Sequence, residues 1–128
     1  MNSDHILHIL ALFLSLSTLL TITRLNNTDF VLPNIGTYKV NWQVSITEPG
    51  QLVLGLDSGT GSVEQAYTVV GRATGTSQIV GMTLVTTTAA NSVLTVRNPA
   101  GNTTALTITL IAGGASPVSA TLLIEQVA

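Results

Sequence analysis

Few side chains in this sequence could carry out chemistry. The chain of 128 residues has no cysteine, which excludes disulfides, thiolate metal sites and thiol nucleophiles. Its two histidines, His5 and His8, are three residues apart, and only Asp4 accompanies them. Because a zinc site needs three or four ligands, we interpret this segment as the solvated start of a helix. We expect no metal and no other cofactor.

Catalytic groups are also scarce in the main part of the sequence, residues 26–128. This part has no histidine, so Ser-His-Asp chemistry is excluded there. Asp57 and Glu64 are the nearest pair of carboxylates, but the Gly-rich segment between them gives general acid–base catalysis no fixed frame. One aspartate is also too little for a calcium loop, so we interpret residues 57–61 as a plain turn. We predict that the protein is not an enzyme.

The sequence is unusually poor in charge. Asp, Glu, Lys and Arg make up 8% of it and the formal net charge is −2, whereas about a quarter of an ordinary globular sequence is charged. No basic stripe is present to bind a phosphate backbone, so we expect no nucleic-acid partner. A β surface with so little charge is prone to association unless an oligomer buries it.

From residue 26 the hydrophobic pattern has a period of two, which is typical of half-buried strands. The clearest case is 38–47, where Tyr38, Val40, Trp42, Val44 and Ile46 alternate with polar residues. Clusters of Gly, Pro and Asn separate the strands. The predicted strands are Thr28–Leu32, Tyr38–Thr47, Gln51–Asp57, Val63–Ala73, Ser77–Thr86, Ser92–Asn98, Thr104–Ile111 and Val118–Val127.

This pattern predicts an all-β fold, an antiparallel jelly-roll sandwich without an interior helix. Several of its strands are apolar on both faces. In Ser77–Thr86, Ile79 and Val85 face one way, and the other side carries Val80, Met82 and Leu84. One face can fill the sandwich, and the other needs a partner. A closed symmetric oligomer supplies one.

An apolar connector, residues 1–25, precedes the head domain, residues 26–128. We expect a helix from about His5 to Thr18, followed by a short strand within 19–25. The residues at helical spacing on one face, which are expected to join subunits, are Ile6, Ile9, Phe13, Leu16 and Leu20. Two arrangements would do this: a three-helix plug, or strands docked into a neighbouring head.

Two other interpretations of this connector stay open. A membrane anchor through residues 6–22 requires about 20 apolar residues, and this run is shorter. A secretory signal requires a basic start and a small-residue cleavage site, and neither is present.

Three segments of the head domain resemble a known family. They are Val70-Gly71-Arg72-Ala73-Thr74-Gly75-Thr76-Ser77-Gln78-Ile79-Val80-Gly81, Leu94-Thr95-Val96-Arg97-Asn98-Pro99 and Ala120-Thr121-Leu122-Leu123-Ile124-Glu125. Together they are similar to the C-terminal domain of the Bacillus collagen-like exosporium glycoproteins, a branch of the tumour-necrosis-factor and complement-like jelly rolls. The opening Phe30-x-Leu32-Pro33-x-x-Gly36-x-Tyr38 also resembles this superfamily.

The resemblance implies a tight homotrimer on the surface of a bacterial spore. It also implies that the C-terminal strand and the 38–46 strand lie near the three-fold axis. The residues expected in the core or along that axis are Tyr38, Trp42, Val44, Leu122 and Ile124. The Gly-x-y collagen stalk and the proline-rich exosporium-targeting leader of that family are absent from this sequence.

These observations predict a structural, self-assembling trimer of a spore surface layer or fibre. Head-to-tail stacking of trimers through the apolar connector would be open-ended, which is how fibres form. The alternative is a membrane-anchored or surface-displayed trimer for binding or adhesion. Sequence alone names no glycan or receptor ligand for it.

Overall fold

A computed structural model describes residues 10–14, 21–74, 77–109, 111, 114–115, 117 and 119–128. This part of the chain forms strands and no helix. The strands are β1 (Leu10–Leu14), β2 (Thr23–Arg24), β3 (Phe30–Leu32), β4 (Thr37–Ile46), β5 (Gly50–Asp57), β6 (Ser62–Arg72), β7 (Ser77–Thr86), β8 (Ser92–Arg97) and β9 (Ala120–Gln126).

The strands form two sheets. The four-stranded sheet has the order β1-β9-β4-β7, and the five-stranded sheet has the order β2-β3-β8-β5-β6. The pairs are antiparallel except β1–β9, which is parallel. Consecutive strands lie in different sheets at six places: β1 and β2, β3 and β4, β4 and β5, β6 and β7, β7 and β8, and β8 and β9. The fold is therefore an all-β sandwich, as the period-two pattern predicts.

The core lies between the two sheets, and one whole face of β4 packs into it. Tyr38, Val40, Val44 and Ile46 are fully buried, and Trp42 is 2% exposed. Each alternate position of a strand points to the same face, so the spacing of these residues determines which side of β4 packs inward. The prediction for this strand is confirmed. From the five-stranded sheet, the core receives Phe30, Leu32, Leu52, Leu54, Leu94 and Val96.

A bulge interrupts the pairing of β5 with β6. The register shifts between Leu52 and Leu54, whose partners on β6 are Val70 and Gln65. The backbone N–H of Leu54 donates instead to the hydroxyl of Thr68 at 2.9 Å, and that hydroxyl donates to the carbonyl of Gln65 at 2.7 Å. One buried threonine side chain therefore replaces the lost ladder bond.

The predicted strand Thr104–Ile111 is wrong as a continuous element. Its described residues form an isolated bridge, between Ile46 and Ile108. The segment is held by the Glu48 carboxylate, which accepts bonds from the Thr107 backbone N–H at 2.6 Å and the Thr107 hydroxyl at 2.7 Å. Its alternating pattern is local, whereas a strand also needs a neighbouring backbone along its whole length.

The predicted N-terminal helix is wrong where the structure describes it, because Leu10–Leu14 is strand β1. Its backbone runs parallel to β9, with Leu10 opposite Thr121 and Leu14 opposite Glu125. A short run rich in Leu is compatible with helix and strand, and pairing with a neighbour overrides local propensity. The short strand expected within 19–25 is present as β2.

Candidate assembly surface

The four-stranded sheet has a second face, turned away from the core, which we call the outer face. On β7 it carries Val80, Met82 and Leu84, and cross-strand pairing places a β4 residue beside each of them: Gln43 beside Val80, Asn41 beside Met82 and Lys39 beside Leu84. The same three β4 residues pair on their other side with Thr121, Leu123 and Glu125 of β9. The outer face of β7, β4 and β9 is therefore a three-by-three grid of side chains.

The β7 edge of this grid is apolar and exposed. The exposed fractions are 63% for Val80, 69% for Met82 and 55% for Leu84. On the opposite side of the same strand, Ile79 and Val85 are buried. Three adjacent large apolar side chains at the edge of a sheet form the kind of contiguous patch that marks a protein interface.

Beside this apolar edge is a shallow depression of about 310 Å³. Its floor and rim include Asn41, Gln43, Val80, Met82 and Thr121. The side-chain oxygen of Asn41 is buried there and has no hydrogen-bond partner. Buried polar atoms are normally paired, so this oxygen is a site at which a partner's donor would be stabilising.

Charge on the outer face is small and balanced. Lys39 Nζ lies 3.6 Å from Glu125 Oε1, and both side chains are partly exposed. The two residues face each other across β4 and β9, so their charges cancel at one end of the grid. A second copy of the chain would meet no net charge on these nine positions.

The five residues predicted for the core or the trimer axis lie in the sandwich core. Tyr38, Val44 and Ile124 are fully buried, Leu122 is 1% exposed and Trp42 is 2% exposed. Their side chains are therefore covered within a single chain. On β4 and β9, the side that remains for a partner is therefore the outer face.

Of the connector residues predicted to join subunits, Ile6, Ile9, Leu16 and Leu20 lie outside the described residues. Phe13 belongs to β1, and its backbone lies opposite Ile124 of β9. The head and the connector therefore meet at the β9 side of the four-stranded sheet, which is the side opposite β7.

Sequence reasoning identified the two-sided pattern of β7 but missed the polar residues beside it. Asn41 and Gln43 alternate regularly with buried residues and look like ordinary solvated positions. Only the register of β4 against β7 brings them next to Met82 and Val80. A local sequence pattern does not specify that register, so it gave no indication of the depression.

The glycine-containing segment after β5 is a turn, as predicted. Asp57 Oδ1 accepts the backbone N–H groups of Gly59 at 2.8 Å and Gly61 at 3.1 Å. Both glycines have positive φ, 120° and 113°, a region that other residues rarely adopt. The Asp57 carboxylate therefore stabilises the backbone of its own loop.

Within the described residues, no three His, Cys, Asp or Glu side chains are close enough to hold a metal ion. No helix long and apolar enough to cross a membrane is found among the same residues. A comparison with known proteins found no family model that matches this chain and no curated protein with significant similarity.

Proposed function

We propose that this chain is a structural subunit that assembles as a homotrimer through the outer face of its four-stranded sheet. In this proposal the sandwich is a jelly roll, and the protein is not an enzyme. Trimers then stack through residues 1–25 into a fibre or layer on the surface of a bacterial spore. The resemblance of the three quoted head-domain segments supports the spore location, and immunogold labelling of spores would test it.

The observation that carries the proposal is the exposed apolar edge of Val80, Met82 and Leu84. A chain with 8% charged residues has few charges to keep such a patch soluble. Burying it against another copy removes apolar area from water, which contributes about 25 cal/mol for each Å². The buried oxygen of Asn41 beside this edge would find its donor in the same contact.

Strand β1 supports the stacking part of the proposal. Its backbone adds to the β9 edge of the sheet in parallel, so the connector is able to pair with a head as a strand. The same contact between neighbouring trimers would be head-to-tail and open-ended. Of the two connector arrangements considered from the sequence, this favours a docked strand over a helical plug.

Electron microscopy of full-length protein, prepared without detergent or lipid, tests stacking. We expect regular filaments, and we expect deletion of residues 1–20 to leave dispersed trimers. Leu12→Pro removes a backbone N–H from β1 and should abolish filaments, whereas Leu12→Ala keeps the N–H and should retain most of them. Equal filament formation by the proline and alanine variants would contradict pairing through the β1 backbone.

The same preparation distinguishes the competing function, a membrane-anchored trimer for adhesion. A membrane anchor would make full-length trimers float with liposomes and form no filaments. Filaments without liposome binding support the structural role. Trimers that bind liposomes only when residues 6–22 are present would overturn it.

A further inference from the structure

A second depression lies at the opposite sheet, where the turn before β5 meets the segment that follows β8. Its volume is about 400 Å³, within the range of small-molecule sites. The side chains that line it and matter here are Gln51, Asn98, Asn102, Thr103, Thr104 and Leu106.

Asn98 has an unusual environment. It is 1% exposed, and its Nδ2 donates to the carbonyl of Thr104 at 2.9 Å. Its Oδ1 is buried and has no hydrogen-bond partner. Most buried side-chain polar atoms are paired with protein or water, so a single unpaired amide oxygen at a depression indicates a position where a donor belongs.

Two further amides lie beside this one. Asn102 Nδ2 donates to Gln51 Oε1 at 3.0 Å. Each amide side chain has two N–H donors and an oxygen with two lone pairs, so this bond uses only part of their capacity. With the hydroxyls of Thr103 and Thr104, the depression offers donors and acceptors close together.

The lining carries no formal charge. The adjoining depression, which shares Gly50 and Gln51, is lined by Arg72. Its guanidinium donates to the carbonyls of Ile46 at 3.1 Å and Glu48 at 2.8 Å, so it already serves the backbone. An anionic ligand would therefore meet no counter-charge in the lining, while half-buried Leu106 supplies an apolar surface.

We propose that this depression binds a neutral carbohydrate. A sugar hydroxyl donates to Asn98 Oδ1, other hydroxyls bond with Gln51 and Asn102, and a C–H face of the ring packs on Leu106. Since Oδ1 is itself buried, residues at the rim shift as the hydroxyl approaches. This site shares no residue with the outer face of the four-stranded sheet. An experiment that contradicts one of the two proposals therefore does not contradict the other.

Saturation-transfer NMR on the full-length protein tests the site, because the method tolerates large assemblies. The probes are the methyl glycosides of glucose, galactose, mannose, rhamnose and N-acetylglucosamine, with glucuronate as the charged comparison. At least one neutral glycoside should receive saturation, and glucuronate should receive less.

Two matched substitutions locate the binding. Gln51→Ala should weaken the affinity about tenfold, the size expected for a lost hydrogen bond with its partner left unpaired. Gln78→Ala, at another exposed glutamine, on β7 in the other sheet, should leave it unchanged, and Asn102→Ala should act like Gln51→Ala. Absence of saturation with every neutral probe, stronger binding of glucuronate, or equal affinity of the Gln51 and Gln78 variants would overturn the proposal.

Discussion

Gly81 lies opposite Trp42 in the β4–β7 pair, and the indole ring of Trp42 occupies the space that a Cβ on residue 81 would need. Both residues face the core, so the largest side chain of the sandwich rests on bare backbone of β7. Strand β7 also carries the exposed apolar edge on its other side. The packing of Trp42 against β7 therefore helps to position the strand that carries the apolar edge of the outer face.

Gly81→Ala should destabilise the protein by about 1–3 kcal/mol, the usual effect of overpacking a core. The indole would have to leave its position, because the atoms that a Cβ on residue 81 would meet belong to the rigid ring of Trp42. Urea unfolding followed by Trp42 fluorescence, at a fixed protein concentration, measures this change.

Two comparisons make the Gly81 prediction specific. Gly101→Ala places a methyl group in open space and should change the free energy of unfolding by less than about 0.5 kcal/mol. Combining Gly81→Ala with Trp42→Phe should cost less than the sum of the single changes, because the smaller ring frees the space. In the Phe background, calorimetry replaces fluorescence. Strict additivity would contradict the contact.

The bulge in β6 yields a second stability prediction. Thr68→Val keeps the shape of the side chain but removes the hydroxyl, leaving the Leu54 N–H without its partner. An unsatisfied buried donor costs about 1–3 kcal/mol. Thr68→Ser retains the hydroxyl and should lose less than half as much. If valine and serine have equal effects on the urea midpoint, the hydroxyl does not replace the ladder bond.

The acid stability of the protein should depend on Glu48. Burial raises the pKa of this carboxyl, but hydrogen bonds from the hydroxyl and backbone of Thr107, from the Thr47 side chain and from the Glu48 backbone together outweigh burial. The net pKa lies below its ordinary value of 4.5. Because the folded pKa is the lower one, the unfolded chain binds more protons in this range. The stabilisation is complete well above pH 4.5 and is lost as pH falls through the folded pKa.

Urea midpoints measured between about pH 3 and about pH 6 check this dependence. Glu48→Gln should remove the part of this pH dependence that Glu48 causes. Thr107→Val removes one hydrogen-bond donor to the carboxylate and should make the pH dependence smaller. An unchanged acid slope in Glu48→Gln would show that other carboxylates cause it.

The two faces of β4 were predictable from the sequence, because alternation over ten residues leaves one choice of inward side. The exposed apolar side of β7 was predictable in the same way, from Val80, Met82 and Leu84. The contact of Gly81 with Trp42 was not, since it depends on the register between strands far apart in sequence. A glycine within a strand is typical of a position that a ligand or another part of the protein approaches closely, and it does not identify the approaching group.

The two wrong predictions, the continuous strand Thr104–Ile111 and the N-terminal helix, have related causes. Leu106 and Ile108 alternate like a strand, yet the segment is anchored by Glu48 and a single bridge. Leu10–Leu14 fits a helical face, yet its backbone pairs with β9. In both segments a long-range partner decided the structure, and the local pattern contained no information about that partner.

The central claim is that the outer face of the four-stranded sheet joins the subunits. Val80 and Val63 provide a matched pair, since they are 63% and 61% exposed and lie on β7 and β6, in different sheets. Lysine at a buried interface position leaves a charge without water or a partner, which is strongly unfavourable. Lysine at a solvated edge position is well tolerated.

The most direct test is the molar mass, by sedimentation velocity, of protein lacking residues 1–20, as wild type, Val80→Lys and Val63→Lys. Circular dichroism should first show that each variant retains the β fold. We predict the mass of a trimer for wild type and Val63→Lys, and the mass of a monomer for Val80→Lys. A monomeric wild type, or a Val80→Lys variant that keeps the mass of a trimer, would contradict assembly through this face.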